Sequence, residues 1–239
     1  MKKVIDKATE LGYGSSIALE RRLRRLQQMP GSSRLLKRLA SASDKEQFED
    51  YLAELQYALI FTGLQFQVEI EPFGREGPDL RISRDDHQSV VEVTRFRKQY
   101  SGPPLVDSNS QDFLLEEYGN VERDIRKSFD KIKEKFKQIK YQDAIIALWN
   151  DEGDLEELEV EEAVSVLLND VNRGTGSIPQ GLSFIVYVGQ KSVRNHQELL
   201  CLPLPSNQKP HQKAWQRELT ASTLREIIER ALAETTDSC

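Results

Sequence analysis

The sequence predicts an α/β domain with a mixed central β-sheet flanked by helices, preceded by a helical N-terminal extension. Three observations lead there. A helix-period stripe (Phe48, Leu52, Leu55, Leu59) comes just before three short alternating segments, and a second stripe (Ile125, Phe129, Ile132, Phe136, Ile139) comes just before the apolar run Ala144 to Trp149. At 239 residues the chain can bury one large core. Its hydrophobic share of 38% and charged share of 30% exclude a disordered or membrane-embedded composition.

The first forty residues read as one or two helices around Arg21-Arg22-Leu23-Arg24-Arg25-Leu26, broken at Met29 to Ser33, where Pro30 and Gly31 interrupt any helical period. Residues 1–42 are therefore expected to form a basic extension and residues 43–239 the main domain. Ser43 and Glu46 have the spacing of a capping box, opening a helix that runs to just before Gly63, with Glu54 off its apolar stripe. Strands are expected at Phe66 to Glu71, Asp79 to Ser83 and Ser89 to Arg95, forming a meander. A loop at residues 101–120 rich in Gly, Pro, Ser and Asn follows, and Asn120 is placed to cap the next helix. Beyond the apolar run come a helix over Leu158 to Leu168 and strands at Leu182 to Val188 and Glu198 to Leu204, with a polar turn at Gln190 to Asn195 between them. A helix over Thr223 to Ala233 closes the chain.

No apolar run reaches the roughly 18 to 20 residues a membrane helix needs, and the N-terminus lacks the apolar core of a signal peptide, so a cytoplasmic protein is expected. Cys201 and Cys239 make neither a disulfide framework nor a zinc cluster, and His87, His196 and His211 have no metal-ligand spacing. The formal net charge is -6, but it is unevenly spread. Residues 1–40 hold ten Lys and Arg against three acids, residues 121–140 hold eight against four, and residues 151–170 hold nine acids with no Lys or Arg. A polyanion can therefore meet a basic side of an acidic molecule.

The chemistry concentrates in Pro78-Asp79 and Glu92-Val93-Thr94. With a hairpin turn centred between Asp85 and Asp86, residues facing each other share a constant index sum, which sets Asp79 against Glu92. Directly opposed side chains have Cβ atoms about 4.5 to 5.5 Å apart, so the two carboxylates converge. Like charges so placed repel unless one is protonated or a hard divalent cation is shared. The other face of the hairpin, Leu80, Ile82, Val91 and Val93, is apolar and suited to packing on a helix. On spacing alone, a plain surface hairpin with Arg81 as an ion-pair partner remains the alternative.

This pattern resembles the PD-(D/E)xK, or restriction-endonuclease-like, nuclease superfamily, over roughly residues 44–150. There, a glutamate-bearing helix precedes a three-stranded meander, the aspartate opens the second strand, and the acidic-x-lysine tripeptide lies on the third; Glu54, Asp79 and Glu92 fall in those places. The resemblance implies a restriction-endonuclease-like core and a nuclease hydrolysing phosphodiester bonds by in-line attack of water, with Mg²⁺ or Mn²⁺ held by Asp79, Glu92, the Val93 carbonyl and Glu54. Where the family has lysine this chain has Thr94, which can neither orient and deprotonate water nor carry a positive charge. Lys135, with Gln138 three residues on, is the candidate replacement, and Arg95, Arg97 and Lys98 are the others. Arg24, Arg25, Arg95, Arg97 and Lys98 are the expected contacts to a nucleic acid, DNA ahead of RNA, and a homodimer is compatible with this organisation. Two other readings stand beside it: an inactive nuclease fold that binds nucleic acid or a protein partner, and a protein-interaction module docking through its acidic or basic stretch.

Overall fold

The computed structural model describes residues 1–14, 17–74, 76–96, 121–141, 143–150, 157–191, 196–204 and 208–233. Three helices open the chain: α1 (Lys2–Glu10), α2 (Ile17–Gln27) and α3 (Ser32–Ala40). The expected break at Pro30 and Gly31 separates α2 from α3, and a turn at Gly12 (φ 88°) sets α1 apart as a further helix. Helix α4 (Lys45–Gly63) leads into the strands β1 (Gln67–Ile70), β2 (Leu80–Arg84) and β3 (His87–Arg95). Then follow α5 (Val121–Phe136), β4 (Ala144–Asn150), α6 (Glu157–Asn172), β5 (Leu182–Lys191), β6 (His196–Pro203), α7 (Pro210–Ala221) and α8 (Leu224–Ala233).

The six strands form one open sheet in sequence order. β1, β2 and β3 are an antiparallel meander, β3, β4 and β5 run parallel, and β6 returns antiparallel to β5. Every residue of β4 is buried, as befits a parallel strand covered on both faces. Strand parity divides the core in two. Leu80, Ile82, Val91, Val93, Ile145, Ala147 and Trp149 pack with α4 and the N-terminal helices, whereas Ile146, Leu148, Phe129 and Val160 form a second cluster under α5 and α6. Val4, Leu23, Leu26, Leu35 and Leu39 of the first three helices belong to the same cluster as α4.

α4 departs from its expected single stripe. Ala53, Leu55, Tyr57, Ala58, Leu59, Ile60 and Phe61 are all buried, because the sheet covers one side of the helix and α2, α3 and α8 the other. The Tyr57 hydroxyl donates to the Leu148 carbonyl of β4, and its ring meets Trp149 edge-on at 5.8 Å. At Gly63 a Cβ would lie 2.0 Å from the Ile227 carbonyl oxygen, so α8 crosses α4 where only glycine fits. The cap of α4 sits one residue later than Ser43: Asp44 accepts from the Gln47 N–H (2.8 Å), and Gln47 accepts from the Ser43 N–H (2.8 Å). The reciprocal logic of the box is kept, with glutamine in place of Glu46. α7, unassigned from sequence, starts with Pro210 at its first turn and buries Gln212, Trp215 and Leu219. Among the described residues no helix is long and apolar enough to cross a membrane.

Candidate active site

The hairpin register is the one that places the acids. Leu80 pairs with Val91, Ile82 with Ser89 and Arg84 with His87. Asp85 and Asp86 both adopt positive φ (53° and 63°), the backbone of a two-residue turn whose twist matches the flanking strands. β2 ends its pairing at Leu80, so β3 outruns it and Val93 loses a ladder partner. Asp79 fills that place: its Oδ2 accepts from the Val93 N–H at 2.7 Å, while its carbonyl accepts from the Glu71 N–H at 2.8 Å. Asp79 therefore precedes β2 rather than opening it, and its carboxylate is pinned to the β3 backbone beside Glu92. Val93 meets the site through its N–H.

Glu92 points to the α5 side of the sheet and is 6% exposed. Burial first, and then the neighbouring Asp79 charge, push its carboxyl up to about 8, against the pull of Lys135 and Lys140. Asp79 is likewise raised by burial, with Lys135, the Val93 N–H and Arg38 pulling it down. Lys135 Nζ lies 4.0 Å from Glu92 Oε2 and donates to Gln138 Oε1 at 2.7 Å. Lys135 stands in the last turn of α5, whereas Gln138 lies two residues past its end, so the pair is closed by a turn in which the Gln138 N–H donates to the Lys135 carbonyl (2.9 Å). Thr94 shares the Glu92 face and is buried, with no charge to offer.

Glu54 is buried on α4 and bound two-pronged by Arg38 of α3, whose Nη1 donates to Glu54 Oε1 at 2.9 Å and whose Nη2 reaches Glu54 Oε2 and, at 2.7 Å, Glu71 Oε1. Burial and Asp79 push Glu54 up to about 8 while Arg38 pulls it down. The fork geometry is that of a carboxylate, and we assign Glu54 as the charged partner of Arg38. Burial alone would lower Arg38, but Glu54, Glu71 and Asp79 more than offset it and hold it as guanidinium. Arg38 and Glu71 were not singled out from sequence. They meet Glu54 only because α3 packs on α4 and β1, a tertiary event that no local spacing encodes; the one available hint was that a glutamate on a buried helix needs a cation.

Of the expected nucleic-acid contacts, Arg95 is a correction. Its side chain is fully buried, with Nη1 2.9 Å from Glu46 and Nη2 2.5 Å from Glu49, so it ties β3 to α4 rather than facing a groove. It shares the strand parity of Val91 and Val93, which turns it to the helix side. Arg97 and Lys98 lie outside the described residues, as does Asn120. Arg24 is exposed on α2 and 3.9 Å from Glu20, and Arg25 donates to Gln28 at 2.7 Å. His87 and His211, read from sequence as incidental, stack at 4.0 Å with rings 3° from parallel, and His211 also meets Trp215, so both dock α7 on the hairpin.

Asp79 and Glu92 are the carboxylates that could hold a cation. Four acids (Glu54, Glu71, Asp79, Glu92) share Arg38 and Lys135, leaving a negative excess that either protons or a cation must neutralise. With Glu54 committed to Arg38, Asp79 and Glu92 remain, and among the described residues no group of three or more His, Cys, Asp or Glu side chains is arranged to hold a metal ion. A hard ion that keeps several waters and binds through one or two carboxylates fits such a pair. No family model matches the chain, and no curated protein or solved structure matches it significantly.

Proposed function

We propose that the protein is a metal-dependent nuclease with a restriction-endonuclease-like core, hydrolysing nucleic-acid phosphodiester bonds at Asp79 and Glu92. The observation that carries this reading is the approach of Lys135 to Glu92 (4.0 Å), beside an Asp79 whose own carboxylate is fixed on β3. That approach supports a role for a lysine from the next helix in supplying the charge Thr94 lacks. The order α4, β1, β2, β3, α5, β4 supports it too, with Glu54 on the helix, Asp79 before the second strand and Glu92 on the third.

A Mg²⁺ or Mn²⁺ ion held by Asp79 and Glu92 supplies, when bound, a Lewis acid for the phosphate and a lowered pKa for the attacking water. The chain's own groups do the rest. The Val93 N–H fixes the Asp79 carboxylate, so one ligand is pre-oriented before anything binds. Gln138 holds the Lys135 ammonium, and that charge stands where negative charge builds on the phosphate. Exposed Lys133, Lys137 and Lys140 on and beyond α5 offer backbone contacts to the nucleic acid, with DNA the first substrate to test. Glu54 acts through Arg38 and positions the Asp79 loop by way of Glu71.

Cleavage of duplex DNA, single-stranded DNA and RNA with Mg²⁺, Mn²⁺ or EDTA tests the reading. Wild type should cut only with metal, and Asp79→Asn should lose on the order of a hundredfold or more. No cutting of any substrate, or equal cutting by Asp79→Asn, sinks it. A second reading has one observation in its favour: Arg38 neutralises Glu54 and Glu71 without a metal. Under it, the protein is an inactive nuclease fold that binds nucleic acid or a protein partner, and salt-sensitive binding without cleavage is its signature.

A further inference from the structure

Among the described residues, the connection from β1 to β2 is tied by backbone hydrogen bonds. The Gly74 N–H donates to the Glu71 carbonyl (3.0 Å), the Gly77 N–H to the Gly74 carbonyl (3.1 Å), and the Glu71 N–H to the Asp79 carbonyl (2.8 Å). From this loop Phe73 projects with 52% of its surface exposed, a large ring left in water on the segment that delivers Asp79. Gly77 lies so close beneath that a Cβ there would be 2.7 Å from the Phe73 Cβ, so the close approach of the two residues needs glycine. Phe73 stacks on Tyr141, centroids 4.9 Å apart and rings 9° from parallel. Tyr141 comes from the α5–β4 connection, the segment that carries Gln138 and Lys140. The β1–β2 and α5–β4 connections thus each carry an aromatic ring, and the two rings meet.

Register places this stack against the sheet face that carries the acids. The Arg81 guanidinium lies 5.9 Å from the Phe73 centroid, and Arg81 pairs with Val90 across β2 and β3. Glu92 follows Val90 by two residues on the same face, about 7 Å along the strand. Lys135 and Lys140 act on that same Glu92. Arg81 is itself ion-paired with Glu69, so the positive charge open to a phosphate here comes from the lysines. A stacked aromatic pair, part in water, is what a nucleobase stacks on while its phosphates meet those lysines. A base paired in a duplex is stacked between its own neighbours and cannot reach such a surface, whereas an unpaired one can.

We infer that Phe73 and Tyr141 form a stacking platform for an unpaired base next to the Asp79 and Glu92 site, and that the substrate is single-stranded or locally unpaired nucleic acid. This rests on the nuclease reading for the position of the phosphate. The test is fluorescence anisotropy of the full chain in EDTA, where nothing is cut, with a labelled single-stranded oligonucleotide and the blunt duplex of the same sequence. Wild type should prefer the single strand. Phe73→Ala and Tyr141→Ala should each weaken single-strand binding by about 5- to 150-fold, with duplex affinity unchanged. Phe73→Trp should retain it. Phe73→Leu, which keeps apolar bulk without a π face, should behave like the alanine variant while melting like wild type. Single-strand affinity unaltered in Phe73→Leu, a preference for duplex, or no binding of either oligonucleotide overturns the platform. Cutting of duplex DNA that Asp79→Asn abolishes and Phe73→Leu leaves intact also sinks the platform but keeps the nuclease; Phe73-dependent single-strand binding with no cutting does the reverse.

Discussion

Replacing Glu92 by glutamine removes a carboxyl that folding makes hard to ionise, and the effect on stability can be worked out in advance. Burial and Asp79 raise this group from 4.5 to about 8. Below pH 4.5 it is protonated in folded and unfolded chains alike and its titration does not separate variant from wild type. Between 4.5 and about 8 only the folded chain keeps the proton, so unfolding releases it and stability falls as pH rises. At about 1.4 kcal/mol per pKa unit, the deficit by pH 8 is on the order of 3 to 5 kcal/mol. The glutamine variant has no such proton and should be more stable than wild type by that amount at pH 8 in EDTA, and matched to it near pH 4.5. For a chain this size the gap corresponds to roughly 10 °C in Tm, measurable by calorimetry or by urea unfolding followed by circular dichroism. Mg²⁺ should narrow the gap at high pH by stabilising only wild type. Parallel stability-versus-pH curves, or a wild type more stable than the variant at pH 8 without metal, would refute the reasoning, because Glu92 would then ionise freely beside Asp79.

Further outcomes follow from the same site. Arg38→Gln should destabilise the protein by about 3 to 5 kcal/mol by leaving buried Glu54 without its guanidinium, and adding Glu54→Gln should recover much of it, as a double-mutant cycle in urea would show. Lys135→Ala should lower cleavage on the order of a hundredfold with little change in nucleic-acid affinity, and Gln138→Ala should lower it less; steady-state assays with Mg²⁺ separate the two. Arg95→Met should cost about 3 kcal/mol of stability, because Glu46 and Glu49 lose their ion pairs with the buried guanidinium, and leave oligonucleotide affinity unaltered by anisotropy; weakened binding at unchanged stability would restore it as a groove residue.

How much could be read from the sequence depends on whether the controlling interaction is local. The β2–β3 register was legible because a two-residue turn at Asp85 and Asp86 fixes every later pair by arithmetic, and parity then sorts Leu80, Ile82, Val91 and Val93 onto the α4 face. The same parity assigns Arg95 to the helix side, yet its position just after the motif suggested a groove, and the structure buries it against Glu46 and Glu49. Lys135 enters only through the family resemblance, which makes the following helix one candidate source of a lysine beside Arg95, Arg97 and Lys98; the end of α5 lies where Lys135 comes within 4.0 Å of Glu92. Arg38, Glu71 and the Phe73–Tyr141 stack could not be read, since each joins segments that only tertiary packing brings together. The sequence placed Glu54 off the apolar stripe, but it did not show that the N-terminal helices would close over that face and bury it with Arg38.

Crystals soaked in Mn²⁺ at about pH 8, where Glu92 gives up its proton, put the shared-cation claim to its most direct test by anomalous scattering. A single peak within about 2.0 to 2.4 Å of one carboxylate oxygen from Asp79 and one from Glu92, its remaining ligands water, is the expected result. No peak between the two side chains at that pH, with Glu92 instead drawn fully onto Lys135, would contradict it.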